Sequence, residues 1–160
     1  MTQTAAPITS TYLKVIDRNF SVILKNLKDV SHEQSLIPYM QGGSHLNWLM
    51  GHLTHSRCGI LRTLGTEAPW SEERGKRYGK GSTAATAGDA EPLTELIEAY
   101  KATQPLIEQA AARLTEADLE RESGGSTVGA RFEFLVWHES YHSGQTTLYR
   151  RMAGHGRVIP

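Results

Sequence analysis

Between residues 8 and 29 the apolar positions fall at three- and four-residue steps: Tyr12, Ile16, Phe20, Ile23 and Leu27. That spacing lines one stripe of an α-helix and predicts a first amphipathic helix. Ser31 and Gln34 follow at capping-box spacing and predict a short helical turn, before Pro38 and Gly42-Gly43 break the chain. A second helix is expected from Ser44, a good N-cap, with Leu46, Leu49, Leu53, Ile60 and Leu64 buried and Gly65 as its stop. Gly51 and Gly59 inside it cost about 1 kcal/mol each against alanine, which points to another helix passing close there. Residues 65–88, GTEAPWSEERGKRYGKGSTAATAG, show no sustained period and are expected to form one long loop.

A third helix is predicted over about 90–114, with Leu93, Leu96, Ile97, Tyr100, Ile107 and Leu114 inward and Pro105 kinking or interrupting it. The last opens near Ser126 and runs to about Ala153, with Gly154 as stop. No segment reads convincingly as a strand, so the fold class is all-α, a bundle of four helices with a long loop between the second and third. The two halves are faintly alike. Each has a helix, an S/T-x-E segment (SHEQSL, TEADLE), a GGS triplet and then a histidine-bearing helix.

At 160 residues the chain is expected to be one domain, 1–160. Seventeen basic residues balance seventeen acidic ones, so no overall field draws the protein to nucleic acid or to anionic membrane. No basic stripe or helix-turn-helix pattern marks a nucleic-acid reader. A single cysteine, Cys58, excludes an internal disulfide, suits a reducing compartment and reads as a small buried hydrophobe. The N-terminus lacks a signal-peptide layout and no apolar run approaches the ~20 residues of a membrane span, so a cytoplasmic, membrane-free protein is expected.

Chemistry concentrates in HESYHSGQ, residues 138–145. Leu135, His138, His142, Gln145, Tyr149 and Met152 share one helical face, and imidazoles four residues apart can reach one metal ion. The competing reading is a pair of buried polar side chains satisfied by tyrosine or backbone groups. HESYH also matches the H-E-x-x-H zinc-protease signature. That reading needs a third ligand nearby, yet no acidic residue follows Glu139, and Gln145 and Leu148 occupy the positions of the metzincin glycine and third histidine. Glu139 lies about 100° round the helix from His138 and is expected to leave the ligand face. The protease reading fails.

A third ligand must come from another helix, and His52, within the apolar run NWLMGHL, is the best candidate. His45, two turns earlier, is an outer ligand or, preferably, a residue at the bundle mouth. His32, His55 and His155 read as surface residues.

The mid-helix GHL, the long Gly-rich connection and H-x-x-x-H-x-G-Q followed by YRRMAG resemble the DinB-like (YfiT-like) metalloprotein superfamily, from about Leu13 to Gly154. These are the DNA-damage-inducible proteins, not the lesion-bypass polymerase sharing the name. The resemblance implies an up-down-down-up four-helix bundle, often a homodimer. It also implies one divalent metal ion, typically zinc or nickel, on three histidines that fall here on His52, His138 and His142. Imidazole donors also accept iron or manganese. Characterised members of the family include transferases and isomerases that use low-molecular-weight thiols such as bacillithiol or mycothiol. A metal-dependent enzyme activating a thiol or water is therefore the leading expectation. A non-catalytic metal-binding stress protein and a dimeric interaction module are the alternatives.

Further residues are assigned by position. Gln145 is a candidate for hydrogen-bonding a metal-bound ligand, with packing as the alternative. Tyr149 and Tyr141 are candidates to line a pocket, and Arg57 to form a buried ion pair with a glutamate. His45 at the mouth and Arg77, Tyr78 and Lys80 in the loop are candidates to contact a substrate, the loop residues an anionic one.

Overall fold

In the computed structural model, residues 7–84, 86 and 88–158 are described. Four long helices, α1 (Pro7–Leu27), α3 (Leu46–Thr63), α5 (Leu93–Ala111) and α7 (Val128–Met152), carry the fold. Three short ones, α2 (His32–Ser35), α4 (Glu72–Lys76) and α6 (Glu116–Leu119), sit in the connections. Among the described residues no strand forms, and no helix is long and apolar enough to cross a membrane. Helix α3 packs on α5 and α7, and α1 packs on α7 and more lightly on α5.

The faint sequence repeat has a structural counterpart. Ser31 and Gln34 close a capping box on α2, and Thr115 and Asp118 close one on α6. Isolated bridges then pinch the two glycine turns, Pro38 to His45 before α3 and Glu122 to Thr127 before α7. Exchanging α1 with α5 and α3 with α7 leaves the helix pairing unchanged.

Two apolar clusters fill the interior. Ile16, Ile60, Leu61, Ile107, Phe132 and Val136 belong to one, and Ile23, Leu49, Leu53, Trp70, Leu96 and Tyr100 to the other. At their junction lies a buried ion pair, Arg57 of α3 with Glu139 of α7, 0% and 1% exposed. The guanidinium donates through Nε to Glu139 Oε2 at 2.7 Å and through Nη2 to Oε1 at 2.9 Å. Its Nη1 donates to Gln104 Oε1 at 2.7 Å, and its plane lies 4.2 Å from the Tyr100 ring centroid. Burial alone would make the guanidinium easier to deprotonate, but the Glu139 carboxylate outweighs it and holds the positive charge more firmly.

Several local expectations are revised. Helix α3 is capped by His45, whose Nδ1 accepts from the Trp48 amide at 3.1 Å, because the Ser44 hydroxyl is engaged with the Tyr149 hydroxyl at 2.8 Å. Thr127, one residue beyond Ser126, caps α7. Helix α5 runs unbroken through Pro105, which sits on the exposed face, where water can serve the carbonyl that the ring leaves unpaired.

Among its described residues the 65–88 stretch is not without structure. Ser71 caps α4, and Trp70 and Tyr78, 3% and 2% exposed, anchor both flanks of that helix in the core. The two anchors stand eight residues apart among charges and glycines, a spacing that no periodicity reveals. Arg57 does find its glutamate, and Cys58 is buried in the apolar core.

Helix α7 departs most from its predicted orientation. Its buried side chains are Val128, Phe132, Val136, Glu139, Ser143, Thr146, Tyr149 and Arg150, mostly polar over the second half, where α1 meets it through hydrogen bonds. Asn26 Nδ2 donates to Thr146 Oγ1 at 2.8 Å and Asn19 Nδ2 to Ser140 Oγ at 2.9 Å. His138 and His142 lie half-buried on the flank. Phe134, Trp137, Tyr141 and Leu148 are 57–61% exposed.

The two glycines of α3 are not equivalent. A Cβ on Gly51 would stand 2.2–2.5 Å from the Tyr78 ring, a loop residue rather than a passing helix, whereas on Gly59 it would meet nothing closer than Leu135 at 3.9 Å. Gly51→Ala is expected to destabilise the protein by about 1–3 kcal/mol in urea unfolding. Gly59→Ala should be neutral or stabilising by up to about 1 kcal/mol. Equal effects at the two positions would show that the Tyr78 ring is not held where the structure places it.

Candidate metal centre

The site is assembled from helices α3 and α7 and from the loop after α4. Gly51 has no side chain, so the Tyr78 ring lies directly on the α3 backbone one residue before His52. The Tyr78 hydroxyl donates to Glu91 Oε1 at 3.0 Å, and Glu91 also pairs with Arg74. That seating places the Tyr78 carbonyl 2.6 Å from His52 Nδ1. A carbonyl can only accept, so His52 carries its proton on Nδ1 and presents the Nε2 lone pair. Trp48, one turn earlier, stacks on the His52 ring at 4.9 Å between centroids and fixes its plane. On α7 the Gln145 amide oxygen lies 2.7 Å from His142 Nδ1 and sets the same tautomer there.

Three Nε2 atoms therefore converge. His138 Nε2 stands 3.2 Å from His52 Nε2 and 3.1 Å from His142 Nε2. A single proton on His138 could satisfy only one of the two facing lone pairs. A cation at the centre satisfies all three nitrogens together. Tetrahedral zinc at its usual bond length sets nitrogen ligands about 3.3 Å apart, close to the two separations from His138, and all three donors lie within 4.8 Å of one another. The residues fit a metal ion, and His52, His138 and His142 could hold one.

Burial lowers the pKa of all three rings. For His138 it does so to about 4, helped by the neighbouring His142 and His52, while the Tyr78 carbonyl and Gln145 partly offset the fall at His52 and His142. All three are neutral at pH 7, the form that binds metal. Among the described residues no carboxylate or thiol joins the cluster. An ion held by three protein donors would keep coordination positions open. The centre opens on a cleft of about 600 Å³ whose walls include Trp48, Lys80, Arg131 and Phe134.

The other candidate residues divide by location. Gln145 holds His142 and also lines, with Tyr149 and Ser44, a second cleft of about 640 Å³. His45 is buried and committed through Nδ1 to capping α3. Arg77 donates to the Asp89 carbonyl at 2.9 Å and lies 3.7 Å from Glu91. The Tyr78 side chain is in the core, and what reaches the site is its backbone carbonyl.

His55, expected at the surface, is half-buried, lines the same cleft and touches the backbone at Gly75, where a Cβ would stand 2.3 Å from its Nδ1. Trp48 and Arg131 escaped the sequence reading, although each lies on one face with a ligand, four residues before His52 and seven before His138. Helical spacing would have found both.

Glu139, the would-be base of H-E-x-x-H, is sealed in the Arg57 ion pair. Glu139→Gln is expected to cost about 3–5 kcal/mol of unfolding free energy, because it leaves a buried guanidinium uncompensated. Near-parental stability with loss of a hydrolytic activity would instead restore the glutamate as a base.

Comparison with known proteins agrees with this geometry. No curated protein matches the chain. The sequence model of the DinB superfamily matches residues 16–146, most of the chain and all three histidines, and the protein belongs to that superfamily.

Proposed function

We propose that this protein is a metal-dependent enzyme of the DinB superfamily that holds one divalent ion, zinc or nickel, on His52, His138 and His142. The observation that carries the proposal is the convergence of three imidazoles, with the Nε2 atoms of His52 and His142 3.2 and 3.1 Å from that of His138, while partners pin the opposite nitrogens of His52 and His142. Bound there, the ion would supply Lewis acidity, lowering the pKa of a coordinated water or thiol. The chain's own part is to present neutral imidazoles in fixed orientation and to leave one side of the centre facing the cleft. A low-molecular-weight thiol or a hydrolysable small molecule is the substrate class the family resemblance favours. The cleft of about 600 Å³ supports turnover over the alternative of a purely stabilising ion, which has no need of a substrate-sized space. The pairings of the four long helices support a four-helix bundle, and the family resemblance favours the up-down-down-up order.

Untagged protein is expected to carry about one equivalent of divalent metal by elemental analysis, with His52→Ala and His138→Ala retaining little. A metal-free parent that remains folded would end this reading.

The exposed α7 stripe of Trp137, Tyr141 and Leu148 supports the homodimer, since a second copy would cover it. Sedimentation should show a dimeric parent and a monomeric Trp137→Glu variant. A monomeric parent at micromolar concentration would remove the dimer.

A further inference from the structure

The histidines account for only part of the cleft on which they open. Lys80, from the turn after α4, and Arg131, from α7, also line it, and no carboxylate does. Among the described residues neither cation has an ion-pair partner, whereas Arg57, Arg74 and Arg77 are each matched to a glutamate. Two cations without an ion-pair partner thus stand on the cleft where the candidate ion would add two more positive charges.

Both cations are presented by ordered structure. The Lys80 turn is tied down on either side, by Tyr78 in the core and by Ser82, whose hydroxyl accepts from Trp48 Nε1 at 3.0 Å. Arg131 stands two helical turns before His138, roughly 10 Å along the axis at the rise of an α-helix. Its guanidinium occupies space that a side chain at Gly124 would take, where a Cβ would lie 2.6 Å from Nη1. The GGS triplet before α7 therefore leaves room for this arginine at the rim. Between Arg131 and the histidines the wall is apolar, formed by Phe134 and Leu135.

We propose that the cleft takes a small organic anion with an apolar midsection. Its charged end lies at Lys80 and Arg131, its midsection on Phe134 and Leu135, and a thiol or hydroxyl at its far end reaches the three-histidine centre. This rests on the metal-binding reading and adds the substrate's charge and length. A guanidinium and an ammonium suit a carboxylate through charge-assisted hydrogen bonds, and cationic molecules are repelled.

Calorimetric titration of the zinc-loaded protein with 3-(4-mercaptophenyl)propionate and with its uncharged amide tests the proposal. The acid should bind roughly tenfold more tightly than the amide, the lower range for hydrogen bonds to charged groups. The double variant Lys80→Gln/Arg131→Gln should lose most of that preference at unchanged zinc content and unchanged Tm. Equal binding of acid and amide by the parent, binding of neither, or a double variant that keeps the preference overturns the inference. Zinc content is measured first, because a parent that takes up no zinc sinks the metal reading itself and so separates the two failures.

Discussion

The rotation of helix α7 is the constraint on which the rest of the structure depends, and the Arg57–Glu139 ion pair sets it. Removing two charges from water is costly, and an apolar pair of similar volume could stabilise the interior as well. What the apolar pair would lack is direction. A bidentate guanidinium–carboxylate contact, closed by Gln104 and stacked on Tyr100, tolerates little turning of either helix. With Glu139 pointing at the core, a helix of 3.6 residues per turn sends His138 and His142 to one flank, about 40° from each other. Arg131 and Leu135 join that flank, while Trp137, Tyr141 and Leu148 fall on the side opposite the core. Because Arg57 and His52 share α3, the same contact that orients α7 also brings the histidines of the two helices face to face.

The connection between α3 and α5 belongs to the site as much as the helices do. Its aromatic anchors sink into the core, and the energy of their burial holds one backbone carbonyl against His52. Gly51 makes this possible, since any side chain there would displace the Tyr78 ring. The neighbouring glycine and histidine of the GHL motif thus have linked roles, one admitting the loop and the other being oriented by it. A ligand fixed in this way meets a metal ion without first losing rotamer freedom.

The repeated architecture explains where the centre lies. Each half supplies a long helix, a capped short helix, a pinched glycine turn and a histidine-bearing helix, and the histidine-bearing helices pack on one another. His52 comes from the first half, and His138 and His142 from the second. The centre thus occupies the seam between the halves, where a bound ion would tie them together. That position also places the cleft beside the turn carrying Lys80 and the glycine turn that leaves space for Arg131.

By itself the sequence determined the all-helical class, the four long helices to within a few residues, and the shared face of His138 and His142, while it offered His52 only as the best candidate for a third ligand. These are local properties. Helical periodicity records which face is apolar, and two imidazoles four residues apart share a face in any helix. It left undecided how α7 is turned, because the buried stripe of that helix is polar at Glu139, Ser143, Thr146 and Arg150, and Glu139, Thr146 and Arg150 meet partners more than eighty residues away in the chain. It missed the order of the 65–88 segment for the same reason: Trp70 and Tyr78 are anchors only because a pocket on α3 receives them. The partners of the histidines, the burial of Glu139 and the placement of Lys80 and Arg131 on one cleft were settled by tertiary structure alone. Hydrogen bonds, ion pairs and clefts between distant segments leave no period in the chain.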